Sequence, residues 1–445
     1  MKVNLRLISL AVVLILGSGL LLAQPAVQKV PVPTPAQLRY QQYEQIMFLC
    51  LDPCTWQGRE YDNHSIAPNR INPAQLNTDQ WCAVAQSWGA RLILFVAKHT
   101  GGFCWWQTQT SDYSVRSISW RNGKGDVLSD LSASCRKFGL GLGIYVYPGD
   151  ETWGAGIGSG GKTTDPAKQD GYNKVFRQQM TEVLTNYGPI QEVWFDGSCI
   201  IDVNDILLKY ASDAVILQGP MANIRWVGNE DGIAPYPNWY TVSRQDLAGG
   251  VSTAVHSDPN GDAYAPVEMD VPLLKVNGHK WFWAPNSDNM LPSTEQLMDL
   301  YYQSVGRGGV LLLNSTPDTT GLIPASHVKV YADFGKEITR RFAEPLPSFK
   351  KGGNPKVLLF AGPTLLNHVI IQENIANGQC IRKYIVEGEV DGKFEKLCEG
   401  SSVGQKRIDF FEPKTVTGLR LIIAESVGKP EVLCFSAYYA EIILP

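Results

Sequence analysis

Carboxylates at the ends of apolar runs are the residues of this sequence best placed to do chemistry. Asp196 ends the run "EVWFD" just before a glycine, Glu268 lies in "YAPVEMDV", and Glu60 lies in the aromatic segment "TWQGREYDN". Two carboxylates on either side of a sugar can hydrolyse a glycosidic bond, because one attacks the anomeric carbon and the other protonates the leaving oxygen. The pattern indicates glycoside hydrolysis, with Asp270 as an alternative to Glu268. A simple Asp-Gly turn is the structural alternative for Asp196.

Aromatic residues accompany these carboxylates. The chain has 12 Trp and 18 Tyr in 445 residues, and flat aromatic faces suit sugar rings as well as protein cores. The tryptophans near predicted strand ends are Trp56, Trp105, Trp106, Trp194, Trp281 and Trp283. We expect about half of them to pack in the core.

Other catalytic chemistries have weaker support. The segment "GSGGKTT" (Gly158–Thr164) lacks the spacing of a phosphate-binding loop, and there is no GxSxG serine motif. The six His residues form no HExxH and the Cys residues form no CxxC, so we expect neither a metal nor a cofactor. His99 ends the run "RLILFVAKH", and at the end of a barrel strand it is predicted to contact substrate.

Buried strands that alternate with helices would bring these strand ends together. Five apolar runs are predicted as strands: Arg91–Ala97, Gly141–Tyr147, Glu192–Asp196, Ala214–Gly219 and Gly309–Asn314. Helical patterns precede four of them, and Gly89, Gly139 and Gly188 are predicted to end three of the helices. The repeat predicts a (β/α)8-like barrel over residues 24–345, after a Pro-rich leader. A doubly wound sheet is the alternative, and the absence of GxGxxG after the first strand disfavours it.

The pattern changes near residue 345. The segment "PLPSFKKGGNPK" is a typical linker, and short alternating strand patterns follow it. Residues 346–445 are therefore predicted to form a C-terminal all-β sandwich.

The N-terminus and the net charge bear on location and partners. Residues 1–23 begin with Lys2 and Arg6 and continue as an apolar run, which predicts a secretory signal peptide and a secreted or periplasmic protein. A membrane anchor is the alternative, but no stable insertion is expected once the signal is removed. The net charge of -4, without a long basic run, argues against nucleic acid as a partner.

The nine cysteines are odd in number and scattered along the chain. Several lie in apolar patterns that are typical of buried small side chains. In an oxidising compartment, Cys50 could pair with Cys54, or Cys380 with Cys398.

Several ordered segments together resemble the α-L-fucosidases of glycoside hydrolase family 29. The resemblance runs from about residue 37 to residue 321. It is carried by "AKHTGGFCWWQTQTSDYSV", "CRKFGLGLGIYVYPGDETW", "YGPIQEVWFDG", "RWVGNEDG", "YAPVEMDV" followed by "KWFW", and "YYQSVGRGGVLLLNSTPDTTGLI". The last four segments resemble the branch of that family that acts on α-1,3/1,4-linked fucose.

The resemblance implies a retaining exo-glycosidase that needs no cofactor and acts on oligosaccharide or glycoconjugate glycans. It implies that Asp196 is the nucleophile and Glu268 the general acid/base. The residues that it places around the sugar are Glu60, His99, Trp106, Tyr145, Trp194, Arg225 and Trp281. The trailing sandwich resembles the family's C-terminal domain and is expected to brace the barrel.

The chain departs from the family pattern in two places. It reads "CLD" from Cys50 to Asp52 where the family usually has "HFG", and Thr100 and Gly101 replace the second His and the Asp of "KHHDGF". Two imidazoles that would bind sugar hydroxyls are thus absent, and a galactoside is an alternative substrate. A catalytically weak carbohydrate-binding protein is the alternative function, although binding alone would not require both carboxylates.

Overall fold

A computed structural model describes residues 30–247, 256–350 and 356–441. The predicted signal peptide, residues 1–23, lies outside these ranges. Within them, no helix combines the length and the apolar character that a membrane crossing requires.

An eight-stranded parallel sheet forms the first part of the structure. Its first six strands are β1 Gln45–Leu49, β2 Leu92–Lys98, β3 Gly141–Val146, β4 Glu192–Trp194, β5 Val215–Leu217 and β6 Arg225–Trp226. A separate antiparallel pair follows, β7 Thr241–Val242 and β8 Ala263–Tyr264. The strands β9 Val267–Val271 and β10 Val310–Ser315 complete the parallel sheet. The five runs predicted from the sequence correspond to β2 to β5 and β10, and the short strand expected around Glu268 is β9, whereas β1 and β6 were not predicted.

The sheet is a nearly closed barrel. The strand order is β5-β4-β3-β2-β1-β10-β9-β6, and a parallel bridge between Leu217 and Ile224 links its two edges. The predicted barrel is therefore confirmed and the doubly wound alternative is wrong.

Nine helices are present in the described residues. They are α1 Pro35–Tyr43, α2 Cys54–Gln57, α3 Thr78–Ser87, α4 Val127–Phe138, α5 Gln169–Asn186, α6 Asn204–Tyr210, α7 Arg244–Leu247, α8 Thr294–Gln303 and α9 Ala325–Phe342. Helix α4 shows how the sequence sets the two ends of a helix. Asp126 accepts the Ser129 N–H at its start, and Gly139 takes a left-handed conformation at its end, with φ of 67°.

Alternation along the strands divides the barrel residues between two cores. Side chains such as Phe48, Leu94, Tyr145 and Trp194 fill the interior, whereas their neighbours in sequence pack outward against the helices. Successive layers of side chains, called levels below, therefore fill the interior of the barrel. Only the level nearest the carboxyl ends of the strands can contact a ligand.

The C-terminal part is an antiparallel sheet of six strands. These are β11 Phe349–Lys350, β12 Val357–Glu373, β13 Ile381–Val390, β14 Lys393–Gly400, β15 Arg407–Ser426 and β16 Val432–Tyr438. The long strands β12 and β15 pair with register shifts, which let them bend around an apolar core of their own. The predicted change of architecture falls between α9 and β11.

The C-terminal sheet packs on the barrel. The Asn238 N–H donates to Ser402 Oγ at 3.0 Å, Tyr302 Oη and His368 Nε2 lie 2.8 Å apart, and Lys406 pairs with Glu44. These contacts fit the expected bracing role.

All nine cysteines are free thiols.

Candidate active site

A cavity of about 310 Å³ opens at the carboxyl ends of the barrel strands. Six of the residues predicted for the site line it. They are Glu60, His99, Tyr145, Trp194, Asp196 and Trp281. They come from the ends of β2, β3 and β4 and from two loops, so the barrel brings together residues that are far apart in the sequence.

Asp196 stands two residues beyond the end of β4 and is half-buried. Tyr145 at the end of β3 donates its hydroxyl to Asp196 Oδ2 at 2.9 Å. Burial raises the pKa of Asp196, whereas the hydrogen bonds from Tyr145 and from the Gly197 N–H lower it, and the Glu230 carboxylate raises it. The two donors hold the carboxylate in one orientation and favour the ionised form that a nucleophile needs.

Glu268 does not line the cavity. Its side chain is fully buried, and it accepts hydrogen bonds from Trp194 Nε1 at 2.6 Å and from Tyr40 Oη at 2.8 Å. The reason is its level in the barrel, because Glu268 lies on the inward face of β9 two residues before Asp270, which does line the cavity. Two residues of strand place Glu268 about 6.6 Å deeper. The sequence identified a strand-end carboxylate but misjudged its depth.

Glu268 shares its buried position with Glu192 on β4. Both side chains are fully buried, and burial raises the pKa of each carboxyl, with the repulsion of Glu268 adding to the effect on Glu192. Within the described part of the chain, the only donor that a Glu192 oxygen can meet is the Glu268 carboxyl. Since two adjacent buried carboxylates cannot both stay ionised, the pair holds a proton. The arrangement fixes the Trp194 indole from below and is sealed from the sugar site.

Glu230 is a cavity-lining carboxylate that reasoning from the sequence missed. It lies in the loop after β6, its side chain is 44% exposed, and its Oε2 lies 3.1 Å from Trp281 Nε1 and 2.5 Å from His279 Nε2. The motif "RWVGNEDG" contains it, but Glu230 does not end an apolar run, and that was the signal used to choose carboxylates.

Asp270 is the other carboxylate on the inward face of β9. It is 3% exposed, and Trp226 Nε1 donates to its Oδ1 at 2.6 Å. Burial raises its pKa well above the usual range of an aspartate. Asp270 is therefore suited to hold a proton and to bind a sugar hydroxyl.

Another part of the cavity wall comes from the end of β2 and from the segment that contains Glu60. Glu60 accepts the Trp281 N–H at 2.9 Å, which ties two cavity loops together, and burial raises the Glu60 pKa. His99 is stacked against the exposed Tyr61 ring, with centroids 6.0 Å apart and planes within 4°. Burial lowers the pKa of His99 to about 4, so its imidazole is neutral at ordinary pH.

Two further predicted residues lie away from the cavity. Trp106 is fully buried in the outer core and donates to Glu182 Oε2 at 2.9 Å. Arg225 is 3% exposed and donates to Asn238 Oδ1 and to the Trp239 carbonyl, in the segment that meets the C-terminal sheet. Both predictions failed because a position near a strand end does not decide on which side of the strand a side chain packs.

The departures from the family pattern change the cavity less than expected. Cys50 lines it, but Thr100 and Gly101 do not. A Cβ atom at Gly101 would lie 2.2 Å from Asp62 Oδ2, so the Asp62 carboxylate already occupies the space where a side chain at 101 would begin. Only Cys50 alters the lining directly.

Together, the barrel and its cavity define a class of protein. The cavity contains several carboxylates, one of them held by a tyrosine hydroxyl, and is walled by the rings of Trp194, Trp226 and Trp281. These are the features of a glycoside hydrolase.

Comparisons with known proteins give the family. The α-L-fucosidase family model matches residues 40–340. The chain is 30% identical to α-L-fucosidase 1 of Arabidopsis thaliana, over 92% of this chain and 87% of that protein. The chain therefore belongs to the α-L-fucosidase family of glycoside hydrolases, and it is an enzyme of that activity.

Comparison with solved structures gives the same family. A Bacteroides thetaiotaomicron protein assigned as an α-L-fucosidase shares 36% identity with a TM-score of 0.85, covering 93% of this chain and all of its own. A glycoside hydrolase family 29 member from an unknown rumen bacterium shares 29% identity with a TM-score of 0.80, over 94% of this chain and 79% of its own. Both similarities extend through the C-terminal sheet as well as the barrel.

Proposed function

We propose that this enzyme is a secreted, retaining exo-α-L-fucosidase that removes terminal fucose from glycans, with Asp196 as nucleophile and Glu230 as general acid/base. The observation that carries the proposal is that both carboxylates line one cavity and interact electrostatically. Glu268, the acid/base expected from the sequence, has no access to that cavity. The acid/base role therefore moves to Glu230, while the nucleophile stays as predicted.

The chemistry is a double displacement. Asp196 attacks the anomeric carbon as Glu230 gives its proton to the departing glycosidic oxygen, which leaves fucose covalently bound to Asp196. Glu230, now ionised, takes a proton from water, and the water oxygen displaces Asp196 from the anomeric carbon. After the second step Asp196 is free again and Glu230 is protonated again. Fucose is released with retained configuration.

The shape of the site favours removal of one terminal sugar. Its volume of about 310 Å³ is at the small end of the range for ligand pockets. The exposed Tyr61 and the partly buried Trp281 lie at its wall, where the rest of a glycan would leave the cavity. An α-1,3/1,4 linkage is proposed from the sequence motifs, and secretion from the apolar N-terminus.

Trapping of the covalent intermediate tests this proposal. In a fluorinated fucosyl fluoride the ring fluorine slows both steps, while the fluoride leaving group restores the rate of the first, so the glycosyl-enzyme should accumulate. Peptide mass spectrometry should then find the sugar on Asp196. Activity on aryl α-L-fucosides and α-L-galactosides, and on α-1,2-, α-1,3- and α-1,4-linked oligosaccharides, would identify sugar and linkage. A label on another carboxylate, or release of the inverted sugar, would contradict the mechanism.

A further inference from the structure

A cluster of three potential metal ligands lies beside the sugar cavity. Asp52 and Cys54 follow β1, His99 follows β2, and one ligand atom from each lies within 4.8 Å of the other two. Asp52 and Cys54 are fully buried and His99 is 7% exposed. Within residues 30–247, 256–350 and 356–441, no other group of three His, Cys, Asp or Glu side chains meets this test.

Two polar atoms of the cluster have no hydrogen-bond partner among the described residues, although Asp52 Oδ2 accepts the Cys54 N–H at 3.4 Å. Asp52 Oδ1 and His99 Nδ1 are both buried and unpaired. His99 Nδ1 lies 4.0 Å from Asp52 Oδ2, which is too long for a hydrogen bond. Leaving such groups unpaired in the interior is costly, so the arrangement calls for an occupant.

The spacing suits one tetrahedral ion. Nitrogen and oxygen ligands about 2.0–2.1 Å from a zinc ion are about 3.4 Å from each other, and a sulfur ligand is slightly farther away. The separations of up to 4.8 Å are longer than these values, so the three side chains must move closer together to bind one ion.

The local charge also favours a cation. Asp62 is 4% exposed and acts electrostatically on both Asp52 and His99. The Asp62 carboxylate beside the cluster would offset part of the positive charge of a bound cation.

We propose that Asp52, Cys54 and His99 bind a zinc ion through Oδ, Sγ and Nδ1, with water in the fourth position. Thiolate, imidazole and carboxylate together select zinc over magnesium or calcium, which prefer oxygen ligands alone. Binding releases the thiol proton of Cys54. The ion joins the loop after β1 to the end of β2 and fixes the His99 ring at the cavity wall. The sequence predicts no metal, because these three residues belong to no short metal-binding motif.

Metal content and thermal stability test the proposal. The enzyme, dialysed against EDTA and then titrated with ZnCl₂, should bind one zinc per chain by elemental mass spectrometry, and its Tm should rise. Cobalt(II) in place of zinc should give a thiolate-to-metal charge-transfer absorption band.

Variants locate the site. Cys54→Ser should lose the cobalt band and weaken zinc binding at least about tenfold, while Cys434→Ser, which removes a thiol from β16, should keep both. If Cys54→Ser folds poorly, Asp52→Asn tests the same site without changing a thiol. This variant is also expected to weaken zinc binding. Wild-type enzyme that takes up no zinc would show that the cluster binds no zinc ion. Zinc binding unchanged in both variants would place the ion elsewhere, and either result overturns the proposal.

Discussion

Glu230 and Glu268 lie at two different depths of the same barrel. Glu230 extends from the loop after β6 into the cavity, whereas Glu268 is held on β9 by Trp194 and Tyr40, with no exposure. The first can meet a leaving group and a water molecule in turn. The second can only position the aromatic ring above it. A carboxylate that points into the barrel interior is therefore not enough for catalysis. Its level along the strand decides whether it can take part in the reaction.

Strand β4 repeats this contrast within one element. Glu192, Trp194 and Asp196 follow one another at every second residue, so they point inward at successive levels. Glu192 is sealed with Glu268, Trp194 is the ring between the levels, and Asp196 faces the cavity. The predictions below test that division.

The largest effect is expected at the cavity level of β4. Asp196→Ala should lower kcat on the order of 10⁴-fold or more, because no covalent intermediate can form. Glu192→Gln, two levels deeper on the same strand, should lower kcat less than tenfold. Steady-state kinetics on an aryl α-L-fucoside measure both, and comparable losses would remove the distinction between the levels.

Tyr145→Phe should have the next largest effect. It removes the hydroxyl that donates to Asp196, and a hydrogen bond to a charged group contributes about 1.5–3 kcal/mol, or about 10–100-fold in rate. Because that donor lowers the pKa of Asp196, its loss should raise the pKa further. Less carboxylate is then ionised at a given pH, so the acid limb of kcat/KM should move to higher pH. An acid limb that stays in place would mean that Asp196 does not control it.

Glu268→Gln should have a smaller effect of a different kind. An amide oxygen can accept from Trp194 or from Tyr40 but replaces the carboxylate only in part, so about 0.5–1.5 kcal/mol of positioning should be lost. We expect kcat/KM to fall up to about tenfold, equally for good and poor leaving groups. A loss confined to poor leaving groups would return the general acid role to Glu268.

The smallest effect concerns the sugar. Cys50→His adds a ring that can bind a hydroxyl, and one hydrogen bond of about 0.5 kcal/mol would raise kcat/KM for an aryl α-L-fucoside about twofold. Cys50→Ser is the control, since it removes the thiol without adding reach. Lower fucosidase activity in the His variant, together with a galactoside cleaved faster by the parent, would show that the cavity suits a different sugar.

The sequence predicted the barrel, the β-rich C-terminal region and the placement of Asp196, because strand patterning and a strand-ending Asp-Gly are local features. It did not separate Glu268 from Asp270, since both lie on the same face of one short strand and only their depth differs. Trp106 and Arg225 failed for a related reason, as their contacts with Glu182 and Asn238 depend on packing between distant segments. Glu230 was missed because a loop position carries no periodic signal.

Azide rescue tests the division between Glu230 and Glu268 most directly. Without its acid/base, the glycosyl-enzyme on Asp196 forms from a substrate with a good leaving group but is hydrolysed slowly, and azide can attack it without needing a base. We predict that azide restores turnover in Glu230→Ala and yields a fucosyl azide of retained configuration, and that Glu268→Ala shows neither effect. Rescue of Glu268→Ala with none for Glu230→Ala would contradict the account.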